Sequence, residues 1–107
     1  MDALAGRNDF NRLRLVGVTG RCRQISVVMS IAPNDSRLRV AFAIPKSVGN
    51  AVQRNRCRRR LRHALSDAVN VASGLLLIRV HQTFEELTYD NLVAVMRSAT
   101  DRALAKQ

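Results

Sequence analysis

Apolar positions change their spacing several times along this chain, and each change marks an element. Residues 1–6 show no pattern and read as a loose start. Residues 7–16 predict a short helix, with Asn8 or Asp9 near its beginning, Phe10 and Leu13 on one side, and Gly17 and Gly20 ending it. Across 25–32, Ile25, Val27, Met29 and Ile31 alternate with Ser26, Val28, Ser30 and Ala32, the period of a strand. Pro33, Asn34, Asp35 and Ser36 favour a turn. Alternation then resumes over 37–44, where Leu38, Val40, Phe42 and Ile44 oppose Arg37, Arg39, Ala41 and Ala43. These two strands read as an antiparallel hairpin.

Beyond Pro45 the period becomes helical. Ser47 or Asn50 can cap a helix that runs to about residue 73, where Gly74 supplies a stop. Cys57, Leu61, Ala64, Leu65, Ala68 and Ala72 fall in a stripe about 100° wide, the part a helix buries against a sheet. Residues 75–80 are apolar on both faces, which predicts a central strand with Arg79 on the side of Leu75 and Leu77. A connection over 81–87 leads to a last helix capped by Thr88. Asp90 suits its first turn, and Tyr89, Leu92, Met96, Ala99 and Ala103 form its apolar stripe. The order helix, strands, helix, strand, helix predicts one α+β domain over residues 1–107. Its architecture is a small α/β sandwich with the helices on one side of a mixed sheet.

Charge adds a partner to this picture. The formal charge is +10, and nine of the 18 basic residues fall between Asp35 and Asp67, where there is no acid: Arg37, Arg39, Lys46, Arg54, Arg56, Arg58, Arg59, Arg60 and Arg62. Like charges this dense repel one another unless an anion sits against them. Guanidinium forks suit phosphate oxygens better than a point charge does, so the expected partner is a nucleic acid. Arg54 and Asn50 break the helical pattern by lying at the azimuth of the apolar stripe. Either the helix starts later, or its end overhangs the sheet edge; in that case Arg54 points toward the sheet side, where it binds a ligand held against the sheet or packs its stem on the core rim. The strand face of Arg37, Arg39, Ala41 and Ala43 is small and basic; it is either an ordinary solvated face or one with room for a ligand.

Protein-borne catalysis is not expected. His63 and His81 are the only histidines, and each reads as a lone surface residue. Gly49 stands alone rather than in a phosphate loop, and the acids are dispersed. Cys22 and Cys57 lack metal-ligand spacing, and a disulfide is not expected. No run is long enough for a membrane span, and the first ten residues do not resemble a secretory signal, so a cytoplasmic protein is expected.

The sequence VGNAVQRNRCRRRLRHAL, with Gly49-Asn50-Ala51-Val52 leading into Arg54-Asn55-Arg56, resembles the signature of the protein subunit of bacterial ribonuclease P. The likeness extends to Asn8-Asp9-Phe10, to the strand over 37–44, to Pro45-Lys46 and to Glu86-Leu87-Thr88-Tyr89, about residues 7–104 in all. The resemblance implies a non-catalytic subunit of an endoribonuclease. A large RNA holds the Mg²⁺ ions and cuts the 5′ leader from precursor tRNA, and the protein itself holds no cofactor. It implies the order α-β-β(-β)-α-β-α with a mixed four-stranded sheet and a left-handed βαβ crossover, against the usual hand. Catalytic RNA and precursor tRNA are the implied partners, with no membrane and no protein partner required.

Carried onto this chain, the resemblance assigns Arg54, Asn55 and Arg56 to the catalytic RNA, supported by Arg58, Arg59 and Arg60. It assigns Phe10, Arg14, Arg39 and Lys46 to the leader, in a cleft between the first helix and the sheet. Arg14 stands where the family often has a second aromatic, and Ser47 where a second lysine is common. The basic residue that relatives usually carry after the third long strand is either Arg79 or has no counterpart here. Two other readings compete: a ribosome-associated or chaperone-like RNA-binding module without a processing role, and a DNA-binding protein. The last ranks lowest, because no base-reading Asn or Gln pattern accompanies the arginines.

Overall fold

The computed structural model of the chain describes residues 2–3, 6–31, 37–71 and 73–106. The elements in order are β1 (Asp2–Ala3), α1 (Gly6–Val16), β2 (Val18–Cys22), β3 (Ile25–Ser30), β4 (Leu38–Ala43), a 3₁₀ turn (Lys46–Val48), α2 (Ala51–Ala68), β5 (Gly74–Val80) and α3 (Tyr89–Leu104). They confirm the α+β class and a mixed sheet, whose strand order is β1-β4-β5-β3-β2. The two-residue β1 pairs in parallel with Arg39 and Val40, where the sequence predicted a loose start. The turn at 33–36 and Ala72 lie outside the described residues.

The predicted hairpin of the 25–32 and 37–44 strands is not formed. β5 lies between them, antiparallel to β3 and parallel to β4. The physical reason is that β5 is apolar on both faces and takes the centre of the sheet, leaving β3 and β4 as its two neighbours. The true hairpin joins β2 to β3, with Cys22 opposite Ile25 and only Arg23 and Gln24 in the loop. Arg23 takes the left-handed conformation that this tight turn requires, at φ 53°.

Gly20 does not end α1 but lies in the middle of β2. A Cβ there would sit 2.1 Å from the Ala99 carbonyl oxygen, so the glycine lets β2 ride directly on the backbone of α3. Two side chains of the α3 end then close the outer edge of β2. Arg102 donates to the Arg21 carbonyl, and Lys106 donates to the Thr19 carbonyl at 2.6 Å. Helix α2 ends at Ala68 rather than near 73, because β-branched Val69 turns to extended backbone and buries its side chain. Gly74 opens β5 instead of stopping a helix, and its N–H donates to the Arg37 carbonyl.

The helices are not all on one side of the sheet. α2 and α3 cover the face of Ile25, Val27, Met29, Leu38, Val40, Leu76, Ile78 and Val80, and Phe84 closes this core from the β5–α3 connection. α1 lies on the opposite face, where Leu13 packs against Val28, Leu75 and Leu77. Burying a leucine in this way contributes about 2 kcal/mol. Ala41 and Ala43 flank that small cluster and leave the rest of the face open.

Candidate nucleic-acid interface

The arginine helix begins at a reciprocal cap. Asn50 Oδ1 accepts from the Gln53 N–H at 2.9 Å, and Gln53 Oε1 accepts from the Asn50 N–H at 2.8 Å. Gly49, just before, adopts φ 158° and ψ −171°, and a Cβ there would lie 2.4 Å from Gln53 Oε1. The motif glycine and asparagine are thus a helix start, and they fix the direction in which the following arginines project.

Cys57, Leu61, Ala64, Leu65 and Ala68 are buried, as their spacing predicted. Burial pushes the Cys57 thiol up from its ordinary range, with Glu85 adding to the rise and Arg60 and Arg56 opposing it. Both cysteines are free thiols. Asn55, Arg56, Arg59 and Arg62 are exposed. Arg58 donates to Asn55 Oδ1 at 3.1 Å, and Arg56 lies 3.8 Å from Glu85 in an open ion pair. Pairs of that kind are weak and easily exchanged for a phosphate.

Two arginines of the run behave differently. Arg60 is turned inward: it donates to the Phe84 carbonyl at 2.9 Å and to the Leu87 carbonyl, and its guanidinium lies 5.2 Å from the centre of the Phe84 ring. It fastens the β5–α3 connection to α2. Arg54 is half-buried, and its Nε is shut off from solvent without a hydrogen-bond partner. An orphaned guanidinium N–H is costly and calls for an acceptor.

On the other face of the sheet, a cleft of about 430 Å³ opens beside α1. Phe10, Leu13 and Arg14 line it from the helix, Gly17 and Thr19 from its exit, and Val28, Leu77 and Arg79 from the sheet. Phe10 is 45% exposed, so its ring is available to a ligand. Arg14 is exposed and donates to Asn11 Oδ1 at 2.6 Å. Of the predicted leader residues, Phe10 and Arg14 therefore line the cleft. Arg39 does not line it; it is bound to Asp9 and braces α1 over β4. Lys46 sits apart, exposed in the 3₁₀ turn that leads into α2.

His81 was missed as a partner. Its Nε2 lies 2.6 Å from Ser26 Oγ, and burial, Arg21 and Arg79 in that order hold its pKa below the usual imidazole value. The alternation Leu75, Leu77, Arg79, His81 was the available signal, since it carries the open strand face past the end of β5. Among the described residues, no three His, Cys, Asp or Glu side chains gather as metal ligands would. Among them, too, no helix is long and apolar enough to cross a membrane.

Residues 2–104 match the family Ribonuclease P. The ribonuclease P protein component of Thermus oshimai is 37% identical over 102 residues, covering 92% of this chain and 65% of the relative. That of Clavibacter michiganensis is 40% identical over 82 residues, covering 74% of this chain and 73% of the relative. The chain thus spans a little under two thirds of the first relative's length and nearly three quarters of the second's. The fold is similar to the ribonuclease P protein of Staphylococcus aureus, with a TM-score of 0.72 at 19% identity over 99% of this chain and 94% of that one. It is similar also to the Thermotoga maritima protein, with a TM-score of 0.72 at 15% identity over 87% of this chain and 92% of that one.

Proposed function

Because this chain belongs to the ribonuclease P family, we propose that it binds a large catalytic RNA and the 5′ leader of precursor tRNA together. In this reading the protein is the assisting subunit of an endoribonuclease, and the RNA holds the Mg²⁺ ions and breaks the phosphodiester bond. The work is done on tRNA precursors in the bacterial cytoplasm.

The observation that carries the reading is the cleft beside α1. Phe10 offers a ring for a base, Leu13 and Leu77 give an apolar floor, and Arg14 and Arg79 stand at its walls. That combination suits an extended single strand, whose bases stack and whose phosphates need cations. The second nucleic-acid surface is α2, where Asn55, Arg56 and Arg59 are exposed and Arg54 is half-buried beside them. Arg58 supports it from Asn55. Lys46, exposed in the 3₁₀ turn before α2, is a further cation for leader phosphates beyond the lining of the cleft.

The test is cleavage of a precursor tRNA by a bacterial ribonuclease P RNA across a magnesium series. Adding the folded protein should lower the magnesium needed for cleavage. Tight binding with no change in cleavage would leave an RNA-binding module without a processing role.

A further inference from the structure

Helix α3 carries one residue of its apolar stripe differently from the rest. Leu92, Met96, Ala99 and Ala103 are buried, whereas Tyr89 is 46% exposed. The ring is nevertheless held. Its hydroxyl crosses to α2, where it donates to Asp67 Oδ2 and lies 3.4 Å from the His63 carbonyl oxygen. α3 grips the same aspartate a second time, since Arg97 donates to the Asp67 carbonyl at 2.5 Å. Tyr89 is thus fastened to α3 through its Cβ and to α2 through its hydroxyl. A ring tied at both ends spans the groove between the helices, with one face on the protein and the other turned to solvent.

The surroundings of that open face are charged. His63 follows Arg59 by four residues, so the two lie one helical turn apart on the same side of α2. Arg56, Arg59, Arg62 and His63 are all exposed. Two acids border the ring: Asp67, whose Oδ2 the hydroxyl occupies, and Asp90, its neighbour in the first turn of α3. A phosphate is therefore drawn to the arginines and kept off the ring, which is left for a base. An apolar protein partner seated here would bury Arg59 and Arg62 without counter-charges, which is costly. A nucleotide satisfies the cations with its phosphate and the ring with its base. Paired bases have their faces covered by neighbours in the stack, so the nucleotide that fits is an unpaired one.

We propose that Tyr89 is a stacking platform for one unpaired base of the large catalytic RNA, next to a phosphate held by Arg59. The proposal rests on the reading of α2 as the surface for that RNA. The arginines attract phosphates at any register along the helix, whereas a single fixed ring accepts the strand at one register only. Tyr89 therefore positions the RNA on α2. Every base has a π face, so the platform does this without selecting a base. Its tethers hold the ring in place before binding, which spares the complex the entropy of ordering it.

Tyr89 is the only tyrosine and the chain has no tryptophan, so its ultraviolet emission reports on this ring alone. The experiment titrates the full chain with a bacterial ribonuclease P RNA and, separately, with a single-stranded RNA hexamer, correcting for absorbance by the RNA. The large RNA should quench the emission by about half or more, and the hexamer, held beside α1, by far less. Tyr89→Leu should weaken the large RNA about tenfold and leave the hexamer unchanged, while Tyr89→Phe, which keeps the ring and loses its tether, should weaken it about twofold. Binding of the large RNA without quenching overturns the platform alone, as does a folded Tyr89→Leu protein that binds it like the parent. Equal quenching by both RNAs overturns the platform too. Should Tyr89→Leu not fold, the quenching in the parent decides. A parent that binds the hexamer but not the large RNA overturns the platform and the reading of α2 with it.

Discussion

Arg39 on β4 donates from one guanidinium nitrogen to both carboxylate oxygens of Asp9 on α1, at 3.2 and 3.1 Å. The pair is half-sheltered, with the arginine side chain 31% exposed and the aspartate 12%. It fixes α1 across the sheet and so sets the width of the cleft. Asp9 also lies in the first turn of α1, where a negative charge suits the helix dipole. Arg39→Ala is expected to cost about 1 kcal/mol in a denaturant melt. It should weaken a leader-length single strand several-fold and leave binding of the catalytic RNA nearly unchanged. Equal losses for both RNAs would show that Arg39 contributes charge rather than position.

The arginines of α2 should separate into two classes. Arg60→Ala removes two hydrogen bonds to carbonyls and the contact with the Phe84 ring, so a stability loss of about 2 kcal/mol is expected. Arg56→Ala and Arg59→Ala, both at exposed positions, should leave the melt within about 0.5 kcal/mol of the parent and act on RNA affinity. Thermal melts and filter binding on the same preparations would show the division. A stable Arg60→Ala protein with poor RNA binding would reverse its assignment.

Gly49 and Gln53 should act together through the helix start. Gly49→Ala places a methyl where Gln53 Oε1 now reaches the Asn50 N–H. The loss expected is about 1–2 kcal/mol, and Gln53→Ala should cost about 1 kcal/mol. Because both changes break one cap, the double variant should lose less than the sum of the two single losses, which denaturant titration can measure.

His81 gives stability a dependence on acid. Its pKa is lower in the folded protein than in the open chain, so the unfolded state binds more protons between those two values. The contribution is complete above the ordinary histidine value and is lost as pH falls through the folded value. The melting temperature should therefore decline as pH drops below about 6.5, and less so in His81→Gln. The same slope in parent and variant would place the effect elsewhere.

Salt should report how many phosphates are met. Neutralising about six phosphates gives a slope of roughly −4 to −5 in the logarithm of affinity against the logarithm of salt. Changing Arg54 and Arg56 to Ala should weaken the catalytic RNA more than changing Arg97 and Arg102, whose guanidinium groups are bound to the carbonyls of Asp67 and Arg21. Affinity indifferent to salt would contradict contact through phosphates.

The parts of this molecule that local patterning could reveal are those whose partners lie within a turn or two along the chain. The buried stripe of α2, its Asn50 cap, the Thr88 cap of α3 and the central place of β5 all belong there. Strand partnership is a long-range choice, and it was misjudged because the hairpin of β2 and β3 turns on Arg23 and Gln24 rather than on the Asn-Gly or Asp-Gly that usually marks such a turn. The side of the sheet taken by α1 was hidden for a similar reason: one leucine, Leu13, makes most of its seat. Arg60 resembled its neighbours until Phe84 and Leu87 arrived from a connection with no periodicity of its own. Within the cleft, Phe10 and Arg14 were legible as residue types, while Val28 and Leu77 became lining residues only once the strands were ordered.

Arg102 and Lys106 occupy the outward carbonyls of β2, and Asp2 and Ala3 cover the opposite border of the sheet beside β4. A neighbouring molecule that tried to extend the sheet would have to evict two cations on one flank or peel away a strand on the other. Two carbonyls of the β2 edge and the Arg39–Val40 stretch of the β4 edge are thus already engaged, which narrows the backbone open to ladder growth.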